Sequence, residues 1–131
     1  MPTIDFSKVE EPQEFKPLPE GRYYCQLVEI EESETLNGDE MFKLRFEVLD
    51  GEYADRIIFD NLVFSKNAMK RAKLICSKLG VDVSGEVEIT PELLKDRKCY
   101  VSIQVKKYES DEGKIRERNE VSFAGYERAE D

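Results

Sequence analysis

Cations and flat side chains recur in this chain at the two-residue spacing that turns them to one side of a β-strand. Lys43 and Arg45 share one such phase, and Arg56 and Ile58 share another, with Tyr53 beside the preceding turn. Tyr100, Lys106 and Tyr108 repeat the pattern, and Arg116 and Arg118 follow on the next run. A cationic track holds phosphates and aromatic faces stack on bases, so together these residues could bind a single nucleic-acid strand. Taken singly, each is also an ordinary solvated strand residue, and only the set carries the expectation. Lys66, Lys70 and Lys73 form a further stripe on a helical pattern. They could extend such a track or meet an acidic partner, although a solvated helix face is the ordinary reading. Lys66 opposes the helix macrodipole, a misfit of about 0.3–1 kcal/mol.

Other chemistries fit less well. Asp50, Glu52, Asp55 and Asp60 crowd one stretch, as a metal-dependent nuclease would need, but Asp50 and Glu52 flank a turn. No histidine is present, so a metal hydrolase would have carboxylates alone to work with. Cys25, Cys76 and Cys99 are too far apart for a Cys-x-x-Cys pair and each sits in an apolar pattern. They read as small buried hydrophobes, not as a zinc site or a disulfide framework. No catalytic residue, cofactor or metal is expected.

The elements that must position these residues are legible from periodicity. Arg22–Glu32 reads as a first strand with apolar residues in both phases. Met41–Leu49 reads as a second, with Phe42, Leu44, Phe46 and Val48 inward. Asp50-Gly51 supplies a tight turn into a third strand over about Tyr53–Val63. Grouping Arg56 and Asp60 outward there turns Ile57 and Phe59 inward and leaves Ile58 exposed. Ser65–Leu79 is the one long helical pattern, with Ser65 as N-cap and Gly80-Val81 as a Schellman stop. Thr90-Pro91 opens a short second turn. Lys98–Tyr108 is the fourth strand, with Cys99, Val101, Ile103 and Val105 inward, and Lys114–Tyr126 the fifth, with Val121 and Phe123 in the core. Five strands with a helix between the third and fourth predict an all-β OB-fold-like Greek-key barrel. An open five-stranded sheet covered by one helix has the same order.

A chain of 131 residues suits one domain. Residues 1–20 hold four of the five prolines and read as an extended arm, residues 21–126 as the barrel, and residues 127–131 as an acidic tail. That tail resembles in charge the acidic tips of bacterial single-strand-binding proteins, but it lacks their apolar end, and an ordinary solvated terminus explains it as well. With neither a secretory signal nor an apolar run of membrane-spanning length, a cytoplasmic protein without membrane contact is expected. The net charge of −9 is uneven: residues 22–64 carry eleven acids and four bases, whereas residues 65–80 carry five bases and no acid. An acidic total argues against a nonspecific basic coat protein but leaves room for a local cationic groove.

Several motifs in order, Pro19-x-Gly21-x-Tyr23, Phe46-Glu47-Val48-x-Asp50-Gly51-x-Tyr53, Arg56-x-x-Phe59-Asp60-x-Leu62 and Asn119-x-Val121 with Tyr126, resemble the phage-borne "domain of unknown function 669" family. The resemblance runs from about residue 15 to the C-terminus. It implies an OB-fold and single-stranded DNA binding in phage or prophage replication or recombination. It transfers no catalytic residue. The rival expectation is an adaptor of the same fold that binds a phage or host recombinase, helicase or nuclease and touches DNA little or not at all.

Overall fold

Phe42, Leu44, Phe46 and Val48 alternate with polar residues along the second strand, and all four are buried. The computed structural model, which describes residue 3 and residues 17–129, builds the core around them. Strands β1 (Gly21–Glu34), β2 (Glu40–Val48), β3 (Ile57–Val63), β4 (Lys98–Glu109) and β5 (Ile115–Arg128) make one sheet in the order β3-β2-β1-β4-β5. Every neighbouring pair is antiparallel. A 3-10 turn (Lys66–Ala68), helix α1 (Met69–Lys78) and the one-turn α2 (Pro91–Leu94) lie between β3 and β4. The expected five strands and intervening helix are therefore present. The sheet itself is not closed, because β3 and β5 are its two edges.

Local chemistry sets the helix bounds. Ser65 Oγ accepts from the Ala68 N–H and fixes the start of the 3-10 turn that leads into α1. At the other end Val81 N donates to Cys76 O and Gly80 N to Ser77 O, with Gly80 at φ +91°, which is a Schellman stop. Ala72, Ile75 and Cys76 bury the inner face of α1 in the shared core. Thr90 caps α2 through the Leu93 N–H.

The phase of β3 is opposite to the sequence expectation. Ile58 is 2% exposed and Phe59 62% exposed. Register explains the difference: Ile58 stands opposite Phe46, Asp60 opposite Leu44 and Leu62 opposite Phe42, so these three share the core side of β2. Asp60 can face inward because α1 brings Arg71 to it, with Nη2–Oδ2 at 2.6 Å and Nη1–Oδ1 at 3.3 Å. The Tyr126 hydroxyl from β5 also donates to Asp60. Arg71 further donates to Asn61 O and, through Nε, to Phe123 O. Side chains thus bridge the two sheet edges that backbone pairing leaves apart.

Two other expectations are corrected, and the two apolar phases of β1 are reconciled. The β2–β3 connection is not a two-residue turn: β3 begins only at Ile57, and Asp55 N to Val48 O and Val48 N to Arg56 O close a wider loop. Ile30 faces inward opposite Leu44, because the register of β1 shifts between Leu27 and Glu29. Phe123 is 67% exposed, not core. From Val101↔Tyr126 to Ile103↔Val121, β5 advances five residues while β4 advances two, and this irregularity turns Phe123 out. Gly125 makes it possible, since a Cβ there would lie 2.7 Å from Ser102 O. Most of the predicted arm lies outside the described residues. Leu18, at its end, is buried and tied to Asn119 by two hydrogen bonds of 2.8 Å.

Candidate nucleic-acid interface

Residues directly opposite on antiparallel strands share a face, so the outer surface of the sheet can be assembled pair by pair. On β2, Lys43 stands between Glu31 of β1 and Asn61 of β3, and Arg45 between Glu29 and Phe59. Arg45 Nη1 reaches Glu29 Oε2 at 2.9 Å, and its guanidinium lies 5.1 Å from the Phe59 ring centroid. Each strand-two cation therefore has a β1 carboxylate as cross-strand neighbour. The aromatic surface here is Phe59, which takes the place expected of Ile58; the buried Ile58 cannot touch a ligand on this face.

The far half of the β4–β5 hairpin differs. Lys106 stands opposite Arg118 and Tyr108 opposite Arg116, all four exposed on one face. The Arg118 guanidinium sits 5.5 Å from the Tyr108 centroid. Among the described residues neither Lys106 nor Arg118 is in an ion pair. Like charges directly opposite each other destabilise a sheet. This arrangement concentrates positive field beside a flat ring on a projecting arm.

The remaining predicted residues are dispersed. Tyr53 is half-buried, its ring edge-on to Tyr23 at 6.1 Å, and Arg56 is half-buried just before β3. Tyr100 is half-buried on the outer face of β4, 5.1 Å from Tyr24, with Arg22 stacked 4.5 Å above it. Arg22 is itself paired with Glu127, a residue assigned from sequence to the tail but lying in β5. Lys66, Lys70 and Lys73 are exposed around α1, as the helical stripe implied. The acid-rich stretch does not converge: Asp60 turns to the core side while Asp50, Glu52 and Asp55 are exposed in the loop.

Sequence reasoning missed Phe59, Phe123 and the Arg71–Asp60–Tyr126 bridge. The i and i+2 spacing around Asp60 held the necessary information only if a cation were known to face it. Burial, followed by the charge of Asp60, pushes the Tyr126 hydroxyl well above its ordinary range. Burial works against the charge of Arg71, but its bonds to Asp60 outweigh this and raise its pKa. Burial likewise pushes the thiols of Cys25 and Cys99 up to about 12 and that of Cys76 to about 11. These groups hold the fold and are sealed from reaction.

A family model described as "Protein of unknown function (DUF669)" matches residues 2–126. The chain belongs to this family. The match takes in every strand up to Tyr126, including both outer-face regions and the bridge. No curated protein matches the chain. Among the described residues no helix is long and apolar enough to cross a membrane.

Proposed function

We propose that this DUF669 chain is a non-catalytic, cytoplasmic protein that binds single-stranded DNA in phage or prophage replication or recombination, on an OB-type barrel. The barrel reading is supported by β1 pairing with both β2 and β4, and by the Asp60–Tyr126–Arg71 bridge across the β3–β5 gap. The observation that carries the binding reading is the uncompensated pair Lys106 and Arg118 beside Tyr108. A phosphodiester backbone would offset that repulsion, and a base stacked on the ring contributes ~1–3 kcal/mol. The β2–β3 face, with Arg45 and Phe59, serves as a second and weaker station because Glu29 pairs with Arg45 and Glu31 stands across from Lys43.

The test is fluorescence-anisotropy titration with oligo-dT at two salt concentrations. Affinity that falls with salt and is lost in Lys106→Glu/Arg118→Glu supports the reading. Titrations that stay flat at low salt would sink it. They would favour the adaptor reading, for which the neutralised β1–β2 face and the net charge of −9 speak.

A further inference from the structure

A second cationic site lies at the end of the domain where α1 stops. Lys78 of α1, Arg97 of the α2–β4 turn, Lys98 of β4 and Arg128 of β5 line one recess of about 400 Å³. Among the described residues, the acid on its wall is Asp96. Four cations from three stretches of chain, in a chain with nine excess negative charges, form a concentration that the overall composition opposes. Among the described residues Lys78, Lys98 and Arg128 take part in no ion pair.

Arg97 is held in place. Its Nε donates to Leu93 O at 2.7 Å and its Nη1 to Leu79 O at 3.3 Å. Gly80, which its φ of +91° requires, lies beside this guanidinium: a Cβ there would be 3.4 Å from Nη1, an ordinary contact. A helix C-terminus attracts cations, which accounts for Lys78 and Arg97. It does not account for Lys98 and Arg128, which arrive from the sheet and bond no helix carbonyl among the described residues. The recess also adjoins a flat surface. Lys98 stands opposite Gln26 on the outer face, one step along from the Tyr24–Tyr100 pair. Alternate residues on one strand face are about 7 Å apart, within the span from a base to its phosphate group.

We propose that this recess binds a phosphate group of a nucleotide or nucleic acid, with Lys78, Lys98 and Arg128 as the cationic wall and Arg97 as the fixed corner. The site is separate from the β4–β5 arm and does not depend on what the arm binds.

The experiment is an amide NMR titration of the full chain with inorganic pyrophosphate, thymidine diphosphate and oligo-dT in turn. Saturable shifts at Gly80, Arg97 and Lys98 with the diphosphates are expected, at least tenfold weaker in Lys78→Ala/Lys98→Ala/Arg128→Ala. They should be retained in Lys78→Arg/Lys98→Arg, which keeps the charge, and in the Lys106→Glu/Arg118→Glu arm variant. Oligo-dT shifting the same amides would identify the phosphate as part of a strand; a response to the diphosphates alone would identify a free nucleotide. Absence of saturable shifts there with all three probes in the unaltered chain would overturn the proposal. So would shifts that persist undiminished in the triple alanine variant. In either case the recess is not a phosphate site.

Discussion

The β1–β2 outer face and the β4–β5 arm are built from the same antiparallel pairing, yet they treat their cations in opposite ways. On the first, Lys43 faces Glu31 and Arg45 is bonded to Glu29. On the second, Lys106 faces Arg118 and Tyr108 faces Arg116. Cross-strand neighbours of opposite sign stabilise a sheet by a few tenths of a kcal/mol to about 1, and neighbours of like sign cost a similar amount. One surface therefore sets each cation across from a carboxylate, while the other carries a repulsion that a bound polyanion would relieve. A cation count along the sequence does not reveal this difference. Cross-strand partners separate them.

The largest effect concerns the strands to which the arm is anchored. β1 and β4 bring Cys25 opposite Cys99 under the sheet, beside the buried Tyr126. Their folded pKa values lie above the unfolded ones, so the unfolded chain holds fewer protons at high pH, and stability declines as pH rises. Full stability is expected below about pH 8.5. The midpoint of thermal unfolding should fall progressively between the ordinary thiol value of 9 and the raised values of about 12. A midpoint that stays constant over that window would show that these groups are not sealed. Cys25→Ala/Cys99→Ala should flatten the decline.

The next test fixes which side of β3 joins the β1–β2 face. Ile58→Ala should cost ~2–5 kcal/mol in urea unfolding, as deletions at buried isoleucines do. Phe59→Ala should cost within about 0.5 kcal/mol, as exposed substitutions do. Equal costs would mean that the register of β3 is wrong, and with it the placing of Phe59 beside Arg45.

Binding comes third. Lys106→Glu/Arg118→Glu should weaken oligo-dT binding by about a hundredfold, near 2.8 kcal/mol at 1.4 kcal/mol per tenfold. Lys43→Ala/Arg45→Ala should change it by no more than about threefold, which is 0.7 kcal/mol on that scale. The reverse ranking would move the interface back to strand two. The smallest effect is on stability alone: Lys106→Glu should raise it by about 0.2–1 kcal/mol, by replacing a like-charge pair with an opposite one. A loss there would remove the repulsion on which the comparison rests.

What could be read from the chain was local. The inner phase of β2 and the buried Cys99, Val101 and Ile103 of β4 followed from strict alternation, in which every second residue is apolar. The Ser65 and Thr90 caps and the Gly80-Val81 stop followed from side chains that bond backbone groups within a few residues. β3 escaped this reading because Asp60 occupies a core-side position, and a charge looks outward until its partner is known. Arg71 lies eleven residues along the chain and Tyr126 sixty-six, and only packing α1 and β5 against β3 brings them to it. Phe123 escaped because an irregularity opposite Ser102 changes the phase midway along β5, which a period-two pattern cannot express.

The sequence by itself determined the order of the elements, the helix caps and stop, and the core side of β2 and β4, since each depends on bonds or periodicities a few residues long. Only the tertiary structure decided which face of β3 is buried and which cations have carboxylates across from them. It alone gathered Lys78, Arg97, Lys98 and Arg128 into one recess. The reason is physical: a side chain's charge acts over a few ångströms of space, and those ångströms join residues that the chain holds far apart.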